Sequence, residues 1–127
     1  MLEIAQGWSL DVERGPDWLI VRVHCDPDKG WHSAPLAENA WSLLNQHFAH
    51  RLVLECDELT VMSTELIGEL VRLQKRIVTG GGQLRIAGLS EGMRDVLHTA
   101  RLDGCLSVFA NREDAVMGVG YRPEKPR

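Results

Sequence analysis

The sequence predicts an α/β domain. We expect a mixed central sheet of about five strands, mostly parallel in its core with an antiparallel hairpin at the N-terminus, covered by about four helices. Short β-branched apolar runs alternate along the chain with amphipathic segments of helical period. Gly, Pro, Asp and Asn lie at the boundaries between these segments. Because strands alternate with helices over most of the chain, parallel pairing through right-handed crossovers is favoured.

Composition excludes several classes of protein. The chain has 127 residues, 44% of them hydrophobic and 25% charged, with a net charge of −4. We therefore expect one domain over 1–118, a flexible tail over 119–127 and no basic face for nucleic acid. No apolar run approaches the ~20 residues of a membrane span, and the first residues lack the pattern of a signal peptide. The three cysteines show no Cys-x-x-Cys spacing, which favours buried free thiols in a reducing cytoplasm, with no zinc site and no cofactor.

The N-terminal third predicts a hairpin followed by a helix. Residues 8–14 alternate polar and apolar, a Gly-Pro-Asp turn follows, and the apolar run 18–25 forms the second strand. Residues 26–34 contain Pro, Gly and two Asp, so they predict a loop. A helix is expected from Pro35 to about Ala49. Its inward face recurs with helical spacing: Leu36, Ala40, Leu43, Leu44, His47 and Phe48.

The rest of the chain alternates strand and helix. Apolar runs at 52–56, 84–87 and 106–109 predict strands, and helices are expected at about 63–79, 90–99 and 112–117. The glycines at 80–82 end the longest helix, and Asn111 caps the last one. A glycine inside that longest helix, Gly68, predicts a close approach of the helix backbone to the sheet.

Two hydroxyls, Ser63 and Thr64, lie where the turn after the middle strand becomes a helix. A helix start offers unpaired backbone N–H groups and a positive dipole end. A hydroxyl at this position can cap the helix, and it can also carry a phosphate. Residue type and spacing leave both roles open.

Three stretches carry a resemblance to a known family: RLVLECDELTVMST at 51–64, GGGQLRIAGLS at 80–90, and VLHTARLDGCLSVF at 96–109 followed by NREDAV. The chain resembles the STAS domain (sulfate transporter and anti-sigma factor antagonist) from about Trp8 to Gly118. In that family a turn of the type Asp-Ser-Ser-Gly carries the phosphoacceptor as its first serine. The matching residues here are Ser63-Thr64-Glu65-Leu66, so the resemblance places Thr64 at the acceptor position, with Ser63 as the lesser candidate.

The resemblance implies a non-enzymatic signalling module, an anti-sigma factor antagonist or a related scaffold. Its partner would be an anti-sigma factor or serine/threonine kinase that phosphorylates Thr64, and a phosphatase would remove the phosphate. Neither the residues nor the resemblance decide between a monomer and a weak homodimer. The expected docking surface has its centre at the acceptor turn and extends over neighbouring loops: Ser63, Thr64, Glu65, Leu66, Glu69, Arg72, Asp28, Lys29, Trp31, His32, Ser33, Leu89 and Ser90.

Two alternatives stay open. The domain could bind nucleotide or associate with a membrane lipid or anion transporter, with Thr64 acting only as a helix cap. It could also be a small hydrolase that uses Asp57 or Ser63. The chain has no Gly-x-Ser-x-Gly elbow, and its triple glycine follows a helix instead of preceding one, so neither an esterase nor a phosphate loop is favoured.

Overall fold

The computed structural model describes residues 2–26, 28, 34–59, 62–102 and 104–118. These residues form a layered α/β domain, in which helices alternate with strands after an N-terminal antiparallel part. The elements are β1 (Leu2–Ala5), β2 (Trp8–Arg14), β3 (Leu19–Cys25), α1 (Leu36–Gln46), β4 (Arg51–Glu55), α2 (Thr64–Thr79), β5 (Gln83–Ala87), α3 (Glu91–Thr99), β6 (Ser107–Phe109) and α4 (Arg112–Met117).

Within the described residues, six strands form one sheet in the order β1-β2-β3-β4-β5-β6. β1 and β2 pair antiparallel, as do β2 and β3. The pairs β3–β4, β4–β5 and β5–β6 are parallel. The predicted fold class is confirmed, and all parallel strands point the same way. We call the end of the sheet near Cys25, Glu55 and Ala87 the carboxyl edge, and the end near Leu19, Arg51 and Gln83 the amino edge.

The two faces of the sheet bury different amounts of apolar surface. The larger core lies between one face and helices α1, α2 and α3, and it includes Leu54, Leu70 and Leu97. The opposite face has a smaller core under α4, formed by Trp18, Ile20, Val53, Ala87, Phe109 and Ala115. α4 packs mainly on β4, β5 and β6, and the neighbouring part of this face, on β2 and β3, carries polar side chains, of which Glu13 pairs with Arg112 of α4.

Two elements differ from the sequence predictions. Strand β1 was not predicted, because it has only four residues and its first two side chains are exposed, so it carries little apolar pattern. Helix α1 ends at Gln46, short of Ala49, and Phe48 lies outside the core with 88% of its surface exposed. A left-handed residue at Phe48, φ 52°, ends the helical path there.

The prediction for Gly68 is wrong. A Cβ placed on this glycine would meet no atom within 4 Å, so no backbone approaches it closely. The glycines with close neighbours lie in turns. A Cβ on Gly82 would collide with the carbonyl oxygen of His50, and one on Gly88 would come 2.9 Å from the Asp57 Cβ. Close contacts at glycine therefore occur in the turns, where Gly82 meets His50 before β4 and Gly88 meets Asp57 before α2. They do not occur where α2 packs on the sheet.

Candidate functional site at the start of α2

Ser63 is the N-cap of α2. Its hydroxyl oxygen accepts a hydrogen bond from the Leu66 N–H at 3.0 Å, and its backbone is extended (φ −81°, ψ 164°). Its carbonyl oxygen also accepts the first helical hydrogen bond, from the Ile67 N–H at 2.9 Å. The assignment of Thr64 as the helix cap is therefore wrong, because the preceding hydroxyl occupies that position.

Thr64 is the first residue of α2, and it is exposed. Glu65, one residue further, is also exposed and lies in the first turn, where a carboxylate interacts favourably with the helix dipole. A hydroxyl at the first helical position is not needed for capping once Ser63 supplies the cap. The Thr64 side chain is thus in a position that another macromolecule can reach.

Glu69 links the two long helices. One carboxylate oxygen accepts a hydrogen bond from the Ala37 N–H at 2.8 Å, and the other accepts one from Arg72 Nη1 at 2.7 Å. Pro35, at the N-cap position of α1, makes no side-chain cap, so Glu69 satisfies one of the free donors at that helix start. Arg72 remains 64% exposed on the outer surface of α2.

Leu66 and Leu89 do not belong to an accessible surface. Leu66 is 0% exposed and Leu89 is 4% exposed, and both pack in the larger core. Their assignment to a docking surface by side-chain contact is wrong, because the helix turn that exposes Thr64 turns Leu66 inward. Ser90 is exposed and caps α3 by accepting a hydrogen bond from the Met93 N–H at 3.2 Å.

The loop after β3 is described at only a few positions. Asp28 is exposed, and its N–H donates to a carboxylate oxygen of Asp26 at 3.0 Å. The remaining predicted contact residues of this loop lie outside the described residues, and they are Lys29, Trp31, His32 and Ser33.

The segment that leads from β4 to α2 is tied to the sheet by ion pairs. The Arg22 guanidinium lies 3.4 Å from Glu55, 3.3 Å from Asp57 and 3.6 Å from Glu58. Hydrogen bonding to Glu55 is the main reason that the pKa of Arg22 is raised. Leu59 and Met62 anchor the same segment by burial. Ion pairs hold Asp57 and Glu58, and burial holds Leu59 and Met62. These interactions position the residues that precede Thr64.

His24 joins three parts of the chain. Its Nδ1 lies 2.8 Å from Glu58 and its Nε2 lies 2.7 Å from Asp11, so both ring nitrogens face carboxylate oxygens. Hydrogen bonding to Glu58 raises the pKa of His24 against the opposing effect of burial, and Asp11 adds to the increase. An imidazolium, which donates from both nitrogens, is the form that suits this arrangement.

Glu55 is the buried acidic member of the same network, with only 7% of its surface exposed. It accepts a hydrogen bond from Arg112 at 2.8 Å and one from Arg22 at 3.4 Å. Burial alone would raise the pKa of the Glu55 carboxyl, but the two guanidinium groups outweigh burial and keep the pKa below its ordinary value. Arg112 also forms an ion pair with Glu13 at 2.8 Å, so the network extends from α4 to β2.

Sequence reasoning missed this network. A signal was present, because apart from Ile20 the residues of β2 and β3 on one face are polar or charged: Ser9, Asp11, Glu13, Arg22 and His24. Such alternation is typical of a strand with one face that no helix covers. It did not predict that the charges pair across strands, since pairing depends on a register that only the sheet supplies.

The remaining chemical groups are simple to place. Cys56 is buried, Cys25 is half-buried and Cys105 is exposed, so the expectation of three buried thiols is wrong for Cys105. Burial raises the pKa of the Cys56 thiol well above its ordinary value.

In the ranges that the structure describes, no group of three His, Cys, Asp or Glu side chains could hold a metal ion, and no helix is long and apolar enough to cross a membrane.

Comparison with known proteins gives the family. A family model described as the STAS domain matches residues 10–115. The chain belongs to the STAS domain family. The match begins within β2 and ends within α4, so it includes the turn before α2 and the helices on both faces of the sheet.

Solved structures with this STAS fold include regulators of bacterial signalling. RsbS from Moorella thermoacetica is 12% identical with a TM-score of 0.67, and the match covers 86% of this chain and 92% of that one. The anti-sigma factor antagonist SpoIIAA in its unphosphorylated form is 13% identical with a TM-score of 0.59, covering 89% and 100%. The Bacillus protein SpoIIAA in its phosphorylated form is 14% identical with a TM-score of 0.58, covering 87% and 98%. At these identities the matches show a shared fold.

Proposed function

We propose that this STAS protein is a non-enzymatic signalling module that binds an anti-sigma factor or serine/threonine kinase around the start of α2, and that phosphorylation of Thr64 switches the binding. One observation carries the proposal: Thr64 is exposed at the first position of α2, while Ser63 supplies the cap. Because capping does not occupy it, the Thr64 hydroxyl can be modified without loss of the helix start.

The electrostatics of the site explain how a phosphate would act. The helix start tolerates an anion through its free N–H groups and dipole, so the modified chain keeps its fold. Glu65 places one exposed carboxylate beside Thr64, whereas Asp57 and Glu58 are paired with Arg22. A phosphate adds about −1.5 to −2 charges at pH 7. We expect this added charge, and the cost of desolvating it, to remove a partner that docks over the start of α2.

Arg72 and Glu69 extend the docking surface along α2. Arg72 lies roughly two turns from Thr64 and is 64% exposed, which makes it available to a partner. Glu69 has a second role, because it holds the start of α1 through the Ala37 N–H. A partner that pulled on Arg72 would therefore act on a carboxylate that joins two helices. Ser90, Asp28 and the predicted residues 29–33 complete the proposed surface.

The experiment is phosphorylation in vitro with ATP and a purified serine/threonine kinase of the anti-sigma type from the same organism. The parent chain should gain the mass of one phosphate, and Thr64→Ala should gain none. Ser63→Ala is the matched control. It removes the cap, which costs about 1 kcal/mol, and it should still be labelled. Labelling of Thr64→Ala to the level of the parent would reject Thr64 as the acceptor.

Binding is measured separately by titration of the same kinase without ATP, on the parent, Thr64→Glu and Arg72→Ala. Thr64→Glu should weaken binding by tenfold or more, and Arg72→Ala should weaken it less. Kinase binding that is equal for the parent and Thr64→Glu would refute the switch. The alternative of nucleotide binding is tested by thermal unfolding with ATP or GTP, where an increase in the melting temperature of the isolated domain would favour it.

A further inference from the structure

Phe48 is the most exposed large apolar side chain among the described residues, at 88%. It follows α1 in a left-handed conformation with φ 52°. Hydrogen bonds from the Phe48 N–H to the Asn45 oxygen (3.2 Å) and from the Ala49 N–H to the Leu44 oxygen (2.9 Å) complete a Schellman motif. Gly or Asn normally occupies this position, so a phenylalanine here is disfavoured by backbone strain and by hydration alike.

Two cationic side chains lie near Phe48 at the amino edge. Arg14 and Arg51 line the same cleft of about 290 Å³ as Phe48, and the exposed Asp17 is the single carboxylate in that lining. Arg14 donates to the His47 oxygen at 2.8 Å, and the Arg51 guanidinium lies 5.6 Å from the Trp18 ring centre. Neither arginine forms an ion pair with a carboxylate in the part of the chain that the structure describes. We call Phe48, Arg14 and Arg51 the knob.

An acidic cleft lies at the opposite end of the sheet. Its volume is about 540 Å³, and it is lined by the carboxylates of Glu3, Asp26 and Glu58, by His24, and by Cys25 and the largely buried Trp8. Glu58 pairs with His24 and Arg22, whereas no ion pair with Glu3 or Asp26 occurs among the described residues. β3 separates the knob from this acidic cleft, and its seven residues span roughly 20 Å.

We propose that the protein associates head to tail with further copies of itself, with the Phe48 ring of one copy in the acidic cleft of the next. Arg14 and Arg51 of the first copy then face Glu3 and Asp26 of the second. The ring contacts the apolar part of the cleft, and the charges pair around it. Because the two surfaces differ and lie at opposite ends of the molecule, the contact is heterologous and extends into open chains instead of closing into a twofold dimer.

The observations favour a second copy as the occupant. The net charge of −4 is unevenly spread, since unpaired arginines lie at the amino edge and unpaired carboxylates lie in the acidic cleft. Such ends attract one another. Small ligands bind in concave sites, whereas an aromatic ring that projects into solvent needs the concave surface of another macromolecule to cover it. Aromatic and Arg side chains are common anchors of such protein–protein contacts.

The association is expected to be weak and dependent on salt. One aromatic anchor and a few exposed charges make a small interface, for which a Kd of roughly 0.1–1 mM is typical. Sedimentation of the full chain should show a weight-average mass that rises about two- to fivefold between ~10 µM and ~1 mM at low salt. The increase should be lost at 0.5 M salt, which screens charges beyond a few ångströms.

The decisive experiment mixes two variants. Phe48→Asn removes the ring and suits the left-handed backbone, so this variant should melt at or above the temperature of the parent. Glu3→Lys combined with Asp26→Asn alters the cleft and keeps an acceptor oxygen for the Asp28 N–H. Each variant alone should stay monomeric at ~1 mM. Mixed, they retain one intact cleft and one intact knob, and they should form a one-to-one dimer with no larger species.

Val96→Asn is the matched control, because Val96 is an exposed apolar residue of α3 outside both surfaces, and this variant should associate like the parent. A parent that stays monomeric at ~1 mM, or a Phe48→Asn variant that associates normally, would overturn the proposal. So would a mixture that stays monomeric when both variants are folded. None of these outcomes depends on Thr64, so the test is independent of the phosphorylation switch.

Discussion

The two faces of the sheet differ in how they satisfy the groups they bury. Under α1, α2 and α3 the face is dry and apolar, with Leu54 at 0% exposure. On the opposite face the next residue of the same strand, Glu55, is almost as buried, yet it is charged and held by two arginines. The difference shows that α1, α2 and α3 cover one face with apolar contacts, while the other face, which α4 covers only in part, carries a charged network that reaches the segment before α2.

The largest expected effect is the difference in unfolding free energy between substitutions at Leu54 and at Glu55, which are neighbours on β4. Leu54→Ala leaves a cavity in the larger core and should lower the free energy of unfolding by about 2–5 kcal/mol. Glu55→Gln keeps the size of the side chain but loses charge-assisted hydrogen bonds, and should cost about 1–3 kcal/mol. The effect is smaller because Arg22 and Arg112 are 34% and 29% exposed and can turn to water. Urea unfolding at pH 7 measures both.

Equal losses in the two variants would contradict the comparison, since the charged face would then be as important for stability as the apolar core. Glu13→Gln is the control for the network, because the Glu13 side chain is 63% exposed and its ion pair with Arg112 lies at the solvent-exposed end of the network. This control should change stability little.

The next prediction concerns pH. The pKa of His24 is raised in the folded state, first by Glu58, so the imidazolium stabilises the fold. This contribution is fully present below the unfolded pKa of about 6.5 and is lost as pH rises through the higher folded pKa. His24→Gln should therefore lower the free energy of unfolding more at pH 6 than at pH 9. Urea unfolding of parent and variant at both values gives the difference.

A difference between parent and His24→Gln that grows with pH would show that the imidazole is bound as the neutral form. NMR titration of the His24 ring protons provides an independent check of direction. It should give a midpoint above that of an unfolded histidine, and Glu58→Gln should move the midpoint down. The pKa of Asp11 is lowered instead of raised, mainly by its hydrogen bond with His24.

The smallest effect lies on the helical layer. Gly68→Ala adds a methyl group where no atom lies within 4 Å, so it should raise the free energy of unfolding by about 0.5–1 kcal/mol. Gly82→Ala is the contrasting control, because its Cβ would collide with the His50 oxygen, and it should destabilise the fold. Thermal unfolding measures both, and a destabilised Gly68→Ala would reveal a contact of α2 that the structure does not contain.

Most of the architecture followed from local pattern. The hairpin, the parallel strands and the four helices were predicted because each has a period and a boundary signal of its own. The cap at Asn111 was correctly predicted from residue type, whereas the choice of Ser63 over Thr64 as the cap of α2 came only from the structure. β1 escaped prediction because its four residues depend on pairing with β2.

The candidate site was only partly predictable. The position of Thr64 after β4 came from the sequence and from the family resemblance, and its exposure is a finding of the structure. Leu66 and Leu89 were assigned to the surface because nearness along the chain was taken for nearness to a partner. Burial depends on which way the first turn of α2 faces, and the core beneath it decides that direction.

The sequence by itself determined where helices and strands begin and which hydroxyls can cap them, because these depend on neighbours within about four residues. The tertiary structure alone decided that Arg22, His24 and Glu55 form one charged network, that Gly68 faces open space and that Phe48 stands exposed in a cleft that Arg14 and Arg51 also line. Those features arise from strand register and packing, which bring together residues far apart along the chain, such as Arg22 with Glu55 and Arg14 with His47, each pair 33 positions apart.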